Sequence, residues 1–428
     1  MILNEYVHRL KKSSLFKDSF WSVAGNAAGH GLALIAGVVV ARFLGKEIFG
    51  EYGMIKQTLV YIAGFSTFGL GFTTTKFIAE AKNKNNVNIR QIAAGSINIT
   101  LFMSALLALL LFAFSKQIAV FLEAEHLSLS LQIFAVYVIF NAITIVQIGI
   151  LAGFKAFKPI AINNAIAGVV TFVLSIVLTY FWGIEGALSA LLFASLTKCV
   201  LNYIVVRKTL RSYPCSEQQT DGIVKQLLLF SLPITLHEGV YSIVTWLKIL
   251  LLVKLSNYGE VGLYSAAMQW VFVILFLPGV LRNVALSYLS GTNEGSTQHK
   301  KIFNTMIAVN FVSTFIPCLI VFAFSGVISS FYGEDFVSLS AVLSISVFVS
   351  VFKAMQSVYA QSYISTNKVW TYFCLNAFYH VLMLILAYFL IRLDVTRGAY
   401  MLALAVLIAS GIGLLMYHLV TKIMNRKV

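Results

Sequence analysis

Long apolar runs recur along the chain, separated by short polar segments that carry most of the charged residues. Each run has about 20 residues or more, the length that a helix needs to cross a bilayer. The runs do not alternate apolar and polar residues over about ten positions, as the strands of a membrane barrel do. The pattern therefore predicts membrane-spanning helices, which satisfy their backbone hydrogen bonds within one segment.

Twelve such helices are predicted, and the longest hydrophilic connection separates them into two sets of six. That connection lies near the middle of the chain, around residues 207–225, and no connection is long enough for a separate domain. The predicted spans cover residues 19–44, 50–75, 91–114, 127–154, 159–182 and 186–206, and then 224–253, 261–289, 302–324, 336–364, 369–391 and 398–421.

The composition supports membrane insertion and excludes other classes. Hydrophobic residues make up 59% of the 428 residues and charged residues 11%, whereas a soluble domain has about 45–50% and about 25%. The same values exclude a disordered chain, which is poor in apolar residues. The four cysteines, Cys199, Cys215, Cys318 and Cys374, form no Cys-x-x-Cys pair, so no disulfide framework is predicted.

The net charge of +15 arises mainly in alternate loops. The N-terminal segment, every second loop and the C-terminal segment hold most of the lysines and arginines, whereas the intervening loops hold few of them and most of the acidic residues. Loops rich in lysine and arginine stay in the cytoplasm. The distribution therefore predicts an even number of spans with both termini in the cytoplasm.

Two segments that lie about half a chain apart share one pattern. Residues 42–52 (RFLGKEIFGEY) and 254–264 (KLSNYGEVGLY) each contain a cation, a short polar turn, an apolar residue, a glycine, any residue and a tyrosine. A weaker echo relates residues 178–181 (LTYF) to 386–389 (LAYF). Parallel repeats of this kind are typical of transporters that hold substrate between the repeats, and chance similarity between apolar segments is the alternative.

The turn at residues 42–52, together with residues 65–71 (FSTFGLG), 230–234 (FSLPI) and 259–267 (GEVGLYSAA), resembles the oligosaccharide flippases of prokaryotic cell-surface polysaccharide assembly. These flippases belong to the multidrug/oligosaccharidyl-lipid/polysaccharide exporter superfamily. The resemblance covers nearly the whole chain, although each motif is short. It implies an all-α polytopic membrane protein, with pseudo-symmetric six-helix lobes at 1–210 and 211–428 around a central cavity.

The resemblance also implies a function for the chain. An oligosaccharide linked to undecaprenyl pyrophosphate would move by alternating access to the outer leaflet of the prokaryotic inner membrane. Members of the family often have an acidic residue after the aromatic–leucine pair of the seventh span. Here Lys248 follows Trp246 and Leu247, so no ion-coupling role is transferred to this position.

A small set of ionisable residues falls inside the predicted spans, where each charge costs about 2.5–3.5 kcal/mol at the helix centre. Lys198 lies near a helix end, where its side chain can reach the lipid headgroups. Lys353 is too deep to reach them, which favours a position facing the cavity. Lys56 and Arg282 lie at intermediate depth, so contact with headgroups and a role in the cavity both stay open for them. Apart from Arg42, Glu51 and Lys225, which lie within three residues of a span end and count with the loops, the set comprises Lys56, Lys198, Lys248, Arg282 and Lys353, with Glu238 as the acid.

The seventh span contains a polar stripe. His237, Tyr241 and Lys248 lie on one helical face, which indicates contact with water or a ligand more often than with lipid. Neighbouring Glu238 could pair with a cavity cation or act as a protonatable coupling site. Asn26 and His30 form a weaker stripe in the first span, which suits either the cavity or hydrogen bonding between helices.

An anionic substrate fits this surplus of cations, because arginine binds a pyrophosphate through two parallel hydrogen bonds and lysine binds it as a point charge. The resemblance places spans one, two, seven and eight around the cavity. That arrangement would place Arg42, Lys56, His237, Lys248 and Arg282 at the cavity. With Tyr241 from the polar stripe and Lys353 from its depth, these are the predicted substrate-binding residues.

No catalytic residue, metal site or cofactor is predicted, since the chain lacks Walker A, His-Glu-x-x-His and complete Gly-x-Gly-x-x-Gly motifs. The predicted partners are the undecaprenyl-pyrophosphate-linked glycan and the lipid bilayer, with other membrane proteins of polysaccharide assembly as candidates and nucleic acid excluded. The main alternative is a proton- or sodium-coupled multidrug exporter. A membrane polymerase or ligase is disfavoured because every outer loop is short.

Overall fold

The computed structural model describes residues 14–82, 89–213, 222–279, 281, 289, 296–366 and 368–425, with side chains at all of these except 14–26, 28, 30, 237, 369 and 425. Regular structure within this part of the chain is entirely helical. The α-helices are α1 (Ser14–Ser66), α2 (Leu70–Ala81), α3 (Ile89–Ala113), α4 (Ser115–Phe121), α5 (Ser128–Gly153), α6 (Phe157–Arg211), α7 (Ile223–Leu255), α8 (Tyr258–Ile274), α9 (Thr297–Ala323), α10 (Ser325–Tyr332), α11 (Leu339–Ser365), α12 (Val369–Leu393) and α13 (Gly398–Asn425). Short 3₁₀ turns cover Glu125–Leu127, Glu334–Phe336 and Val395–Arg397.

Two of these helices are too long to cross a bilayer once. The 55 residues of α6 would extend about 80 Å at 1.5 Å per residue, against a hydrocarbon core of about 30 Å. Non-helical backbone interrupts α6 at Trp182 and Gly183 and interrupts α1 at Gly45. Both glycines have positive φ angles, 53° and 71°, which glycine adopts without strain. Each long helix therefore consists of two predicted spans joined at a glycine kink.

The all-α polytopic class is confirmed. Within the described residues, 8 helical stretches have the length and hydropathy to cross a membrane, and α6 counts once among them. The count rises if α6 is divided at its kink and if the two segments of α1 and the shorter α8 are added to these stretches. The described helices are then consistent with about twelve crossings.

One predicted span is interrupted in the structure. The span at residues 50–75 was expected to be continuous, but α1 ends at Ser66 and α2 begins at Leu70. The hydroxyls of Ser66 and Thr67 donate to carbonyl oxygens three residues earlier, and Phe68 and Gly69 have positive φ angles. These hydroxyls compete with the helical hydrogen bonds, an effect that hydropathy does not detect.

The chain forms two compact units. The first comprises Met1–Ala36 and Met54–Trp246, and the second comprises Gly37–Gly53 and Leu247–Val428. The chain thus passes from one unit to the other within α1, at both ends of the segment Gly37–Gly53, and again within α7. The lobe boundaries 1–210 and 211–428 remain a prediction of the sequence repeat.

In the first unit, α5 packs directly on α2. A Cβ atom at Gly149 would clash with the backbone of Gly71, and one at Gly153 would lie 2.9 Å from the Cβ of Ile78. The Thr75 hydroxyl donates to the carbonyl oxygen of Gly149 over 2.9 Å. The glycine pair of α5 is therefore a close-packing site, as the small-residue spacing predicts.

In the second unit, the two copies of the repeated turn pack against each other. A Cβ atom at Gly50 would overlap the carbonyl oxygen of Tyr258, and one at Gly262 would overlap the carbonyl oxygen of Lys46. Gly50 and Gly262 hold equivalent positions in the repeat, as do Lys46 and Tyr258. The contact is therefore exchanged reciprocally, as in a two-fold interface, and both glycines are required because two backbones meet there.

We expect Gly262→Val to destabilise the second unit, because the new side chain has no space between two backbones. Overpacking costs typically about 1–3 kcal/mol, and backbone atoms cannot rotate away, so the cost should reach the upper limit and lower the Tm by at least about 5 °C. Thermal unfolding of the detergent-purified protein measures this shift. Gly411→Ala is the control, because no neighbouring atom lies within 4 Å of its Cβ position. Equal Tm values for the two variants would contradict the packing role.

Candidate functional site

The second unit places two of the predicted cavity cations on tyrosine rings. The Lys248 Nζ, from α7, lies 5.2 Å from the ring centroid of Tyr264, on α8. The Lys353 Nζ, from α11, lies 3.5 Å from the ring centroid of Tyr379, on α12. Both distances are within the range of about 6 Å for cation–π attraction, so each ammonium group has a favourable contact inside the predicted membrane region.

These two pairs form one group, which we call the lysine–tyrosine cluster: Lys248, Tyr264, Lys353 and Tyr379. All four residues belong to the second unit. Both rings are buried, with 2% and 4% of their surface exposed. The Tyr264 hydroxyl is buried and has no hydrogen-bond partner in the described part of the chain. The cluster therefore combines two cations with an unsatisfied polar group.

Packing against α13 positions this cluster. One helical turn beyond Lys353 (on α11), the Gln356 side-chain amide donates to the carbonyl oxygen of Ser410 over 2.7 Å. A Cβ atom at Gly413 would lie 2.9 Å from that amide nitrogen and 3.3 Å from the Tyr379 ring. The absence of a side chain at Gly413 lets α11, α12 and α13 approach closely, which holds the Tyr379 ring beneath the Lys353 ammonium group.

The chemistry available to the cluster is anion binding. A lysine ammonium group donates up to three hydrogen bonds, and a tyrosine hydroxyl donates one. In a medium of low dielectric constant, the attraction between these ammonium groups and an anion is stronger than in water.

The other predicted site residues with described side chains are distributed over both units. Arg42 is exposed in the second unit and lines a pocket of about 830 Å³ together with Glu334 and Asp335. Lys56 is half-buried on the second segment of α1, within the first unit. On α7, Glu238 is half-buried and Tyr241 is exposed, and both belong to the first unit.

For several predicted site residues, the structure describes either no part of the residue or its backbone alone. Arg282 falls outside the described residues, and the side chains of Asn26, His30 and His237 are not described. Their roles, and the shared face of His237, Tyr241 and Lys248, therefore stay predictions.

The profile of the family described as "Polysaccharide biosynthesis protein" matches residues 15–281, more than half of the chain. The chain belongs to this polysaccharide biosynthesis family. Among curated proteins, the putative O-antigen transporter of Shigella flexneri is 22% identical over 336 residues, which cover 76% of this chain and 78% of that protein.

Two solved structures share the fold of this family member. The inward-facing conformation of a multidrug resistance MATE family transporter of the MOP superfamily has a TM-score of 0.77 and 16% identity, and the match covers 94% of this chain and 96% of that chain. The lipid II flippase MurJ, in an inward closed conformation, has a TM-score of 0.76 and 18% identity, with 94% and 87% covered. The resemblance to polysaccharide flippases of this superfamily is thus confirmed, and these relatives and structural neighbours are transporters or flippases, which is consistent with a protein that is not an enzyme.

Sequence reasoning missed the tyrosines of the cluster in this family member. Tyr264 is the last residue of the second copy of the repeated turn. The repeat marks this position but does not indicate that a lysine contacts its ring. Tyr379 lies in a span rich in aromatic residues, where no local signal separates it from lipid-facing rings. Lys198 is half-buried and lines a pocket of about 300 Å³ together with Tyr137 and Asn141, which are hydrogen-bonded to each other.

The carboxyl group of Glu260, which precedes the eighth predicted span, fastens the start of α8 to the start of α13. Glu260 Oε2 accepts a hydrogen bond of 2.7 Å from the Ala399 backbone N–H. Burial raises the pKa of the Glu260 carboxyl above its ordinary value, and the Ala399 N–H and the Lys46 charge offset part of that rise. Ionisation of Glu260 therefore costs more in the folded protein than in the unfolded chain.

We expect the raised pKa of Glu260 to make the folded protein lose stability as the pH increases. The free-energy cost of ionising Glu260 in the folded protein is absent below the ordinary pKa of a glutamic acid and complete above the raised pKa of the folded state. Glu260→Gln keeps the acceptor oxygen but cannot ionise, so its Tm at pH 7 should exceed that of the wild type by about 1–2 °C, a small value because the group is partly solvated. Thermal unfolding from pH 4 to pH 8 measures the difference, with exposed Glu125→Gln as control. Parallel pH profiles for wild type and Glu260→Gln would refute the assignment.

Proposed function

We propose that the protein moves an oligosaccharide linked to undecaprenyl pyrophosphate from the cytoplasmic to the outer leaflet by alternating access, for cell-surface polysaccharide assembly. The family match, the O-antigen transporter relative and the lipid II flippase fold support this class of substrate. The observation that favours the pyrophosphate link is the lysine–tyrosine cluster, which holds two ammonium groups in one unit.

Electrostatics favours an anionic headgroup over a cationic drug. At an effective dielectric constant of 20, two unit charges 4 Å apart interact by about 4 kcal/mol. That energy would attract a pyrophosphate to Lys248 and Lys353 and would repel a cationic drug. Away from the span ends, the predicted spans offer a multidrug exporter one acid, Glu238.

The division of the chain into two units supports the alternating-access part of the proposal. Each unit has its own buried core: Leu70, Ile92 and Ile150 belong to a cluster in the first, and Tyr359, Tyr363 and Tyr417 belong to one in the second. Well-packed bodies move as rigid units, while the connecting segments absorb the change in backbone angles. The connections at Ala36–Gly37, Gly53–Met54 and Trp246–Leu247 are the expected flexing points.

The proposed setting follows from the charge distribution. The lysine-rich loops would face the cytoplasm of a prokaryotic cell, with both termini on that side of the inner membrane. The substrate would enter with its pyrophosphate on the cluster cations, and its lipid tail would stay in the bilayer.

Transport in proteoliposomes tests the proposal. With a fluorescent undecaprenyl-pyrophosphate oligosaccharide, we expect Lys248→Gln and Lys353→Gln each to lower binding affinity at least about tenfold, which corresponds to about 1.4 kcal/mol. Lys353→Arg should keep much of the binding because it keeps the charge. Lys254→Gln is the matched control, since it lies on the same helix as Lys248 and is exposed.

Two results would reject the proposal. One is undiminished binding and flipping by both glutamine variants. The other is saturable binding of cationic drugs without binding of the glycolipid, combined with loss of drug transport in Glu238→Gln. That second pattern would identify an ion-coupled multidrug exporter.

A further inference from the structure

The second unit contains another pocket, which shares no residue with the lysine–tyrosine cluster. It has a volume of about 620 Å³ and lies where α9 begins, α11 ends, α12 begins and α13 ends. We call it the helix-end pocket. Its polar lining comprises His299, Lys300, Asn304, Tyr359, Ser362, Tyr363, Thr366, Lys368, His418, Thr421 and Lys422.

The lining of the helix-end pocket is strongly cationic. Lys300 comes from the first turn of α9, Lys368 immediately precedes α12, and Lys422 comes from the last turn of α13. His299 and His418 add two ring nitrogen donors or acceptors. No aspartate or glutamate occurs among the described lining residues. Charges from three separate helices therefore surround one cavity, which favours an anionic occupant.

The wall of the helix-end pocket is held in place by a hydrogen-bonded aromatic layer. The Tyr359 hydroxyl lies 3.0 Å from His418 Nδ1, and the Tyr363 hydroxyl lies 2.8 Å from the Thr421 Oγ1. The Tyr417 ring packs against both tyrosines, with centroid separations of 6.0 Å and 5.9 Å. Since both tyrosines are buried, α11 and α13 present their polar groups in a fixed geometry.

The position and the apolar part of the lining indicate a lipid. Phe303, Ile307 and Met424 line the pocket beside the cations, so the cavity offers apolar contact next to charge. Trp370, in the first turn of α12, is 80% exposed, as tryptophans at membrane–water interfaces often are. The predicted orientation places this end of the helices on the cytoplasmic side, where basic pockets between membrane helices bind anionic headgroups. The cluster of cations supplies the contacts that a phosphate accepts.

We propose that the helix-end pocket binds the phosphate headgroup of an anionic membrane lipid. Lys300, Lys368 and Lys422 contact the phosphate oxygens, and the apolar side chains contact the glycerol and the first carbons of the acyl chains. This site is independent of the substrate proposed above, because it uses other residues at the ends of other helices.

Lipid titration of the delipidated, detergent-purified full-length protein tests this site. We expect short-chain phosphatidylglycerol to bind saturably and raise the Tm, and phosphatidylcholine of the same chain length to have at least about tenfold weaker effect, because its headgroup carries no net charge. Lys422→Gln should lower the phosphatidylglycerol affinity about three- to tenfold. Its side chain is exposed, so this variant is expected to fold.

Lys301→Gln is the matched control, because Lys301 neighbours Lys300, is exposed and does not line the pocket. An equal loss of affinity in Lys301→Gln and Lys422→Gln would show that the headgroup does not bind in the helix-end pocket. Equal responses to phosphatidylglycerol and phosphatidylcholine would show that the site does not require an anionic headgroup. Saturation by inorganic phosphate at the same concentration as phosphatidylglycerol would overturn the assignment to a lipid and identify a site for free phosphate.

Discussion

The contact between the two copies of the repeated turn organises the second unit. Gly50 and Gly262 bring two backbones together at a distance that no side chain permits. The Asn257 side chain begins α8 by accepting the Glu260 backbone N–H over 2.9 Å, and the Glu260 carboxylate then holds the start of α13. Tyr264 follows Gly262 by two residues, so the same turn delivers its ring to Lys248. A structural motif and a candidate binding residue are therefore parts of one short segment.

The tyrosine rings help to stabilise the half-buried lysines. Placing a charge at the centre of a membrane helix costs about 2.5–3.5 kcal/mol, and a cation–π contact returns about 0.5–2 kcal/mol. The rings at Lys248 and Lys353 therefore offset part of this cost, in addition to the other contacts of these side chains. A bound anion would stabilise both ammonium groups further.

The sequence predicted what depends on length and hydropathy, and it missed what depends on three-dimensional neighbours. The spans were accessible because the length and hydropathy of a segment are local properties of the chain. The interruption after Ser66 was missed because it depends on side-chain hydrogen bonds to the backbone. Tyr379 and the helix-end pocket were missed because their partners come from segments that are distant in the chain.

The assignment of Gly37–Gly53 to the second unit has a consequence for biosynthesis. This segment leaves the ribosome early, but Tyr258 and Gly262, on which it packs, are synthesised about two hundred residues later. At about 5–20 residues per second, the delay is roughly 10–40 s. During that time the Gly50 surface is without this neighbour. The backbone contact between the two copies of the repeated turn can therefore form only late in translation.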